Sequence, residues 1–228
     1  MKYILQNKRI FFIVFSIIIG VDVFVKLTLE AFPYRFISKP LVMLSILCFF
    51  IYNRNKRVKN VVFLIGILCF LIGDFFLIDD SNKLFFLLGM LFFIAGKLIY
   101  IYKFSTNKEF TILKLLPLLI FSFIYIICLL HFIFNGLGSF TIPVLLYYFV
   151  SQILLLMAYL RLGSVSSKSY LLILFGVIAF IVSETIVALS IFHIKMNYQD
   201  SAIMIFYGLS QFMIVLGIVD EGEVIMNN

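Results

Sequence analysis

Three acids and a base stand inside stretches that are otherwise apolar: Asp22, Asp74, Glu184 and Lys97. An ionised side chain at the centre of a membrane helix costs about 2.5–3.5 kcal/mol, so such groups face a partner or a wet cavity. Two carboxylates sharing a partly dry cavity can hold different protonation states. Burial favours the neutral acid, and a nearby cation favours the anion. One neutral acid beside one anion is what proton donation with charge stabilisation requires. Asp74 and Glu184 are therefore the candidate catalytic pair. The alternative for both is architectural: an inter-helical ion pair with Lys39 or Lys97. Asp22 and Lys26 are spaced i, i+4 and so share a helix face. They read either as a mutually neutralising pair or as part of a cavity. Lys39, at the head of an apolar run, could snorkel toward the headgroups. Tyr147, Tyr148, Gln152, Tyr207, Ser210 and Gln211 are further polar positions, within the sixth and eighth apolar runs. They line a cavity or join helices by hydrogen bonds. Tyr100 and Tyr102 are expected to be interfacial anchors.

The elements that must carry these residues follow from composition. Of 228 residues, 64% are hydrophobic and 13% charged; the mean hydropathy is +1.19. Soluble domains are about 45–50% apolar and about 25% charged. This excludes a water-soluble enzyme, a disordered tail and a nucleic-acid-binding domain. A lipid bilayer is the solvent that fits. Apolar runs near the 20 residues a spanning helix needs occur at about 10–30, 37–52, 61–78, 84–102, 112–134, 140–160, 170–192 and 200–219. None alternates polar and apolar residues as a barrel strand does, so helices must satisfy the backbone in lipid. The expectation is an all-α, polytopic bundle of eight spans, forming a single integral-membrane domain over 1–228. The apolar run of the second span begins only after Pro40. Lys2, Lys8 and Arg9 precede the first span, but no small-x-small site follows. It reads as an uncleaved helix.

The net charge of +7 is topological rather than a sign of a nucleic-acid partner. With the N-terminus inside, eleven Lys and Arg fall on the cytoplasmic side, among them Lys8, Arg9, Lys59, Lys103, Arg161 and Lys168. Three, Arg35, Lys83 and Lys195, fall opposite. That bias predicts a multi-pass inner-membrane protein with both termini cytoplasmic.

The stretch from Gly66 to Asp74 matches that from Gly176 to Glu184 in residue kind at every position, with Gly and Phe identical. Pro40 and Pro143 open corresponding spans. These coincidences suggest two parallel four-helix halves, about 1–110 and 111–228, related by an axis along the membrane normal. The halves would place both carboxylates at similar depth.

No phosphate loop, dinucleotide fingerprint or Gly-x-Ser-x-Gly elbow occurs. His131 and His193 stand alone and make no zinc site. Cys48, Cys69 and Cys128 lie in apolar runs without ligand or disulfide spacing and read as small buried apolar residues. No cofactor or metal is expected.

Several motifs together resemble the YhhN family of integral membrane proteins, the lysoplasmalogenases. Ser38-Lys39-Pro40-Leu41 resembles the family's threonine/serine-lysine-proline motif, and Gly73-Asp74-Phe75-Phe76-Leu77 its glycine-aspartate-x-x-leucine motif. Leu88-Gly89 through Lys97 and Tyr100 resembles its fourth span. Pro143 to Tyr147, Ser183-Glu184, and Tyr207 with Gln211 resemble motifs of the later spans. The ordered set covers nearly the whole chain. It departs twice: Lys97 stands where a histidine is usual, and Glu184 where an aspartate is usual. Lysine cannot accept a hydrogen bond while charged. Glutamate lengthens the arm by one methylene.

The resemblance implies hydrolysis of the vinyl ether of a lysoplasmalogen to a fatty aldehyde and glycerophospho-ethanolamine or -choline. Asp74 and Glu184 would be catalytic. Lys39, Asp22, Lys97, Tyr147, Tyr207 and Gln211 would bind substrate, with Lys39 near the phosphate. A lysophospholipid and the bilayer would be the partners. A small transporter, a lipid-binding protein and a hydrolase of another lysolipid are the competing readings.

Overall fold

The computed structural model describes residues 2–54, 58–78, 82–105 and 112–225. A short helix, α1 (Lys2–Gln6), precedes eight long ones: α2 (Lys8–Thr28), α3 (Phe36–Asn53), α4 (Val58–Phe76), α5 (Lys83–Phe104), α6 (Ile112–Leu137), α7 (Thr141–Leu160), α8 (Ser167–Phe192) and α9 (Gln199–Ile225). Every expected span is a helix. The ends agree within three residues except the last, where α9 runs on to Ile225. Asn7 and Asn82 cap α2 and α5 by accepting from the backbone N–H groups two and three residues on, which satisfies donors a helix leaves open.

Seven stretches are long and apolar enough to cross a membrane, and one of them, Leu115–Leu160, is 46 residues long. A straight helix of that length would run to about 70 Å, over twice the hydrocarbon thickness. It is in fact two helices. A 3-10 turn at Gly138–Phe140 separates α6 from α7, and Gly138 takes φ 49°, a left-handed conformation open to glycine at little cost. The second span differs from expectation at its start. α3 begins at Phe36 and carries Pro40 in its second turn, near the end, where a missing N–H disturbs the fewest helical bonds. Lys39 is thereby drawn inside the helix and buried rather than snorkelling.

Two helix pairs, α4 with α5 and α8 with α9, form the closest packings. α3 bridges α4 and α9, α7 bridges α5 and α8, α2 lies on α3 and α9, and α6 lies on α7 and α8. In lipid the hydrophobic effect does not drive helices together, so side-chain interlocking must. Aromatic rings supply much of it: Phe11, Phe15, Phe49 and Phe212 stack where α2, α3 and α9 meet. Phe70 of α4 meets Phe180 of α8 edge-on at 5.4 Å. These two phenylalanines hold the same place within the matched stretches of α4 and α8. Cys128 lies on the exposed surface of α6 rather than in the interior.

At Gly136 the backbone of α6 lies hard against that of α8. A Cβ on Gly136 would stand 1.9 Å from the Phe192 carbonyl oxygen. No side-chain rotation relieves a clash with backbone, so the helices must part. Gly136→Ala is expected to cost about 1–3 kcal/mol, the usual range for overpacking, read as a lowered denaturation midpoint in detergent. An unchanged midpoint would show that α6 is not seated this closely.

The two termini of the bundle meet at one end. Lys8 at the start of α2 pairs with Asp220 near the end of α9 at 2.6 Å, and Lys168 of α8 reaches the same carboxylate at 2.7 Å. Glu221 takes Lys103 of α5 at 3.2 Å and Arg161 beyond α7 at 3.1 Å.

Candidate active site

At the opposite end the bundle opens into a cavity of about 490 Å³. Asp74 and Glu184 both line it, as do Lys39, Tyr147 and Tyr207. The volume lies within the usual range for small-molecule sites. Five helices deliver these groups: α3 brings Lys39, α4 Asp74, α7 Tyr147, α8 Glu184 and α9 Tyr207.

Asp74 sits in the last turn of α4, closer to the helix end than its place in the apolar run suggests, and is 1% exposed. The Tyr207 hydroxyl donates to its Oδ2 at 2.7 Å. The Lys39 ammonium stands 3.8 Å from Oδ1 and spends a hydrogen bond on the Leu77 carbonyl at 3.2 Å. That carbonyl lies beyond the last turn of α4, where helical carbonyls are left open.

Glu184 lies two turns inside the end of α8 and is held more tightly. The Lys97 ammonium pairs with Oε1 at 2.5 Å, and the Tyr147 hydroxyl donates to the same oxygen at 2.6 Å. The Ser151 hydroxyl accepts from Lys97 at 2.7 Å and lies 2.9 Å from Oε2. Lys97 is fully buried. Its ammonium rests over the Tyr147 ring, 3.3 Å from the centroid, a placement that adds cation–π attraction where water is absent. Tyr148 fixes the backbone by donating to the Glu184 carbonyl at 2.9 Å.

The two carboxylates thus have matching kits: each has one lysine and one tyrosine. The partners are exchanged between the sides. Asp74 takes lysine from α3 and tyrosine from α9, while Glu184 takes tyrosine from α7 and lysine from α5. Lys97 and Tyr207 are separated along the chain by the same interval as Asp74 and Glu184.

The inter-helical ion pairs and the shared cavity, posed as alternatives, occur together. Other expectations change. Asp22 and Lys26 do not neutralise each other: Ser38 donates to Asp22 at 2.6 Å, and Lys26 pairs with Asp200 at 3.5 Å. Helical spacing made the first pairing available, but both side chains reach partners on other helices. Asp22, Lys97 and Gln211, expected to touch substrate, are outside the lining. Lys97 stands behind Glu184, and Gln211 accepts from the Tyr100 hydroxyl at 3.0 Å. Tyr100 is fully buried rather than interfacial, packed face to face with Phe63 at 4.3 Å. Tyr102 is 49% exposed, as an anchor should be.

Ser151 was legible only as the residue one turn beyond Tyr147. Lys26, Arg35, Lys195 and Asp200 also line the cavity; Arg35 and Lys195 read from sequence as topology signals, Asp200 as part of a connection, and Lys26 as a partner of Asp22 or part of a cavity.

No curated protein and no solved structure matches the chain. The model of the YhhN family matches residues 34–218, from the segment ahead of α3 into α9 and across both carboxylates. The chain belongs to the YhhN family.

Proposed function

We propose that this membrane protein is a lysoplasmalogenase-like hydrolase that splits the vinyl ether of a single-chain phospholipid. The observation that carries the reading is that Asp74 and Glu184, from different helices, line one cavity within the bundle. Family membership supports it, because the family is associated with that activity.

The two carboxylates differ in a way that suggests separate roles. Glu184 receives Lys97 and Tyr147 directly, a set of donors suited to a carboxylate. Asp74 has one direct donor, Tyr207, and a more distant lysine. In this reading Asp74 is the acid. Substrate phosphate engages the Lys39 ammonium, and Asp74 enters the reaction as the carboxylic acid. Asp74 then gives its proton to the vinyl carbon remote from the ether oxygen. The resulting oxocarbenium ion lies against the Glu184 anion. Water adds to the cationic carbon and returns a proton to Asp74. The hemiacetal hydroxyl proton passes to the glycerol oxygen as the carbon–oxygen bond breaks, giving aldehyde and alcohol. The division of labour is analogous to that of glycosidases.

Incubating the purified protein in detergent with 1-alkenyl-glycerophosphoethanolamine tests the proposal through aldehyde release. Saturable binding without aldehyde would favour a lipid-binding or transport protein. Turnover of other lysolipids alone would point to a different hydrolase. Tyr207→Phe removes the donor to Asp74 without removing the ring. Hydrogen bonds to charged groups contribute about 1.5–3 kcal/mol, so kcat should fall about 10- to 100-fold. Wild-type kcat would exclude that bond from the mechanism.

The charge-bearing end that holds Lys8, Lys103, Arg161 and Lys168 is assigned to the cytoplasm by the positive-inside rule. The cavity then opens toward the outer face. Protease accessibility of an N-terminal tag in oriented vesicles checks this assignment.

A further inference from the structure

Hydrolysis of a vinyl ether, as proposed above, leaves an aldehyde in the cavity, and the cavity holds a primary amine beside the carboxyl that would release it. Lys39 is 7% exposed and lines the cavity together with Asp74. Its nitrogen stands 3.8 Å from Asp74 Oδ1 and donates to the Leu77 carbonyl at 3.2 Å. The first separation is an ion-pair distance, too long for a hydrogen bond. The other lysines nearby are placed differently. Lys26 and Lys195 also line the cavity, but Lys26 is held by Asp200 at 3.5 Å and Lys195 is exposed. Lys97 is fully buried behind Glu184, outside the lining. Phe86, Met90, Val144, Val187 and Ile203 give the same cavity an apolar wall.

Lysines withdrawn from water into apolar pockets are the ones that condense with carbonyl groups. The polar alcohol product leaves into water, whereas the aldehyde keeps its chain on the apolar wall. We infer that Lys39 captures a long-chain aldehyde as an imine, a covalent product site within the cavity. The inference rests on the vinyl-ether reading for the source of the aldehyde. The step needs no other reactant. Starting from the ion pair, the Lys39 ammonium gives one proton to Asp74. The amine adds to the carbonyl carbon and passes a proton to the carbonyl oxygen, giving a carbinolamine. Asp74 returns its proton to the new hydroxyl, which leaves as water while the carbon–nitrogen double bond forms. The product is a protonated imine beside the Asp74 anion, so the charge of the pair is unchanged. Water reverses the step, and capture therefore delays product release without ending turnover.

The test supplies the aldehyde directly. The full-length protein in neutral detergent is incubated with hexadecanal and cyanoborohydride, which reduces an imine to a stable secondary amine, and its peptides are then weighed by mass spectrometry. Lys39 should gain the alkyl group at least about tenfold faster than exposed Lys195, a small part of what a held orientation can supply. Butanal, whose chain gains little from the apolar wall, should label Lys39 at least about tenfold more slowly. Unfolding in dodecyl sulfate should erase the preference for Lys39. Asp74→Asn should slow labelling of Lys39 by about tenfold or more and leave Lys195 unchanged. Labelling of Lys39 no faster than Lys195, or a preference that survives unfolding, would overturn the capture site. Butanal reacting as fast as hexadecanal would overturn its assignment to a long chain, and an unchanged rate in Asp74→Asn would overturn the proton path. A Lys39 adduct with no aldehyde from the alkenyl substrate would uphold the capture site and sink the hydrolase reading. Aldehyde release with no adduct would do the reverse.

Discussion

Asp74→Asn in the purified protein is expected to release aldehyde about 10²- to 10⁴-fold more slowly, the usual contribution of a positioned general acid. KM should change little. The amide keeps the shape of the carboxyl and still offers an oxygen to Tyr207, so the cavity wall is preserved. What it cannot do is surrender a proton to carbon. This split between kcat and KM separates a chemical role from a structural one, which would instead lower the amount of folded protein. Glu184→Gln should also lose activity, but it leaves the buried Lys97 ammonium without its anion and so must be read beside a stability measurement. Full turnover by both variants would remove the two acids from the mechanism.

The second large effect concerns Lys97. It is fully buried, and its ammonium is shared among Glu184, Ser151 and the Tyr147 ring. Lys97→Met leaves the Glu184 anion without its cation in a low-dielectric interior. Breaking one side of a buried pair costs about 3–5 kcal/mol, enough to lower the midpoint of thermal unfolding in detergent by about 10 °C for a chain of this size. The double variant Lys97→Met with Glu184→Gln removes both charges and should regain most of that loss. Recovery in the double variant is the signature of coupling between the two side chains. If the double variant is as unstable as the sum of the singles, the pair is not what holds α5 to α8.

The spans were readable from sequence because crossing a bilayer imposes a length, and length survives any choice of apolar residue. The carboxylates were readable because hydrocarbon makes them expensive. Their partners were harder to see. A helix that is apolar all round gives no sign of which side faces lipid and which faces a neighbour, so its rotation is not written in its periodicity. Lys97 and Glu184 meet across α5 and α8, far apart in the chain, with Ser151 of α7 between them. Tyr100 shows the same limit. Its composition and place suit the interface, but its ring points inward against Phe63. The i, i+4 spacing of Asp22 and Lys26 allowed a pairing that contacts with α3 and α9 displaced.

The pairing of Asp220 and Glu221 with Lys8, Lys168, Lys103 and Arg161 bears on how the chain enters the membrane. Ribosomes emit α9 after every helix whose basic flanks it will meet. Until then those flanks keep their full charge. If the proposed orientation holds, with this end in the cytoplasm, the closing helix neutralises charges that have already directed insertion, and assembly and the finished bundle would use the same four side chains in succession.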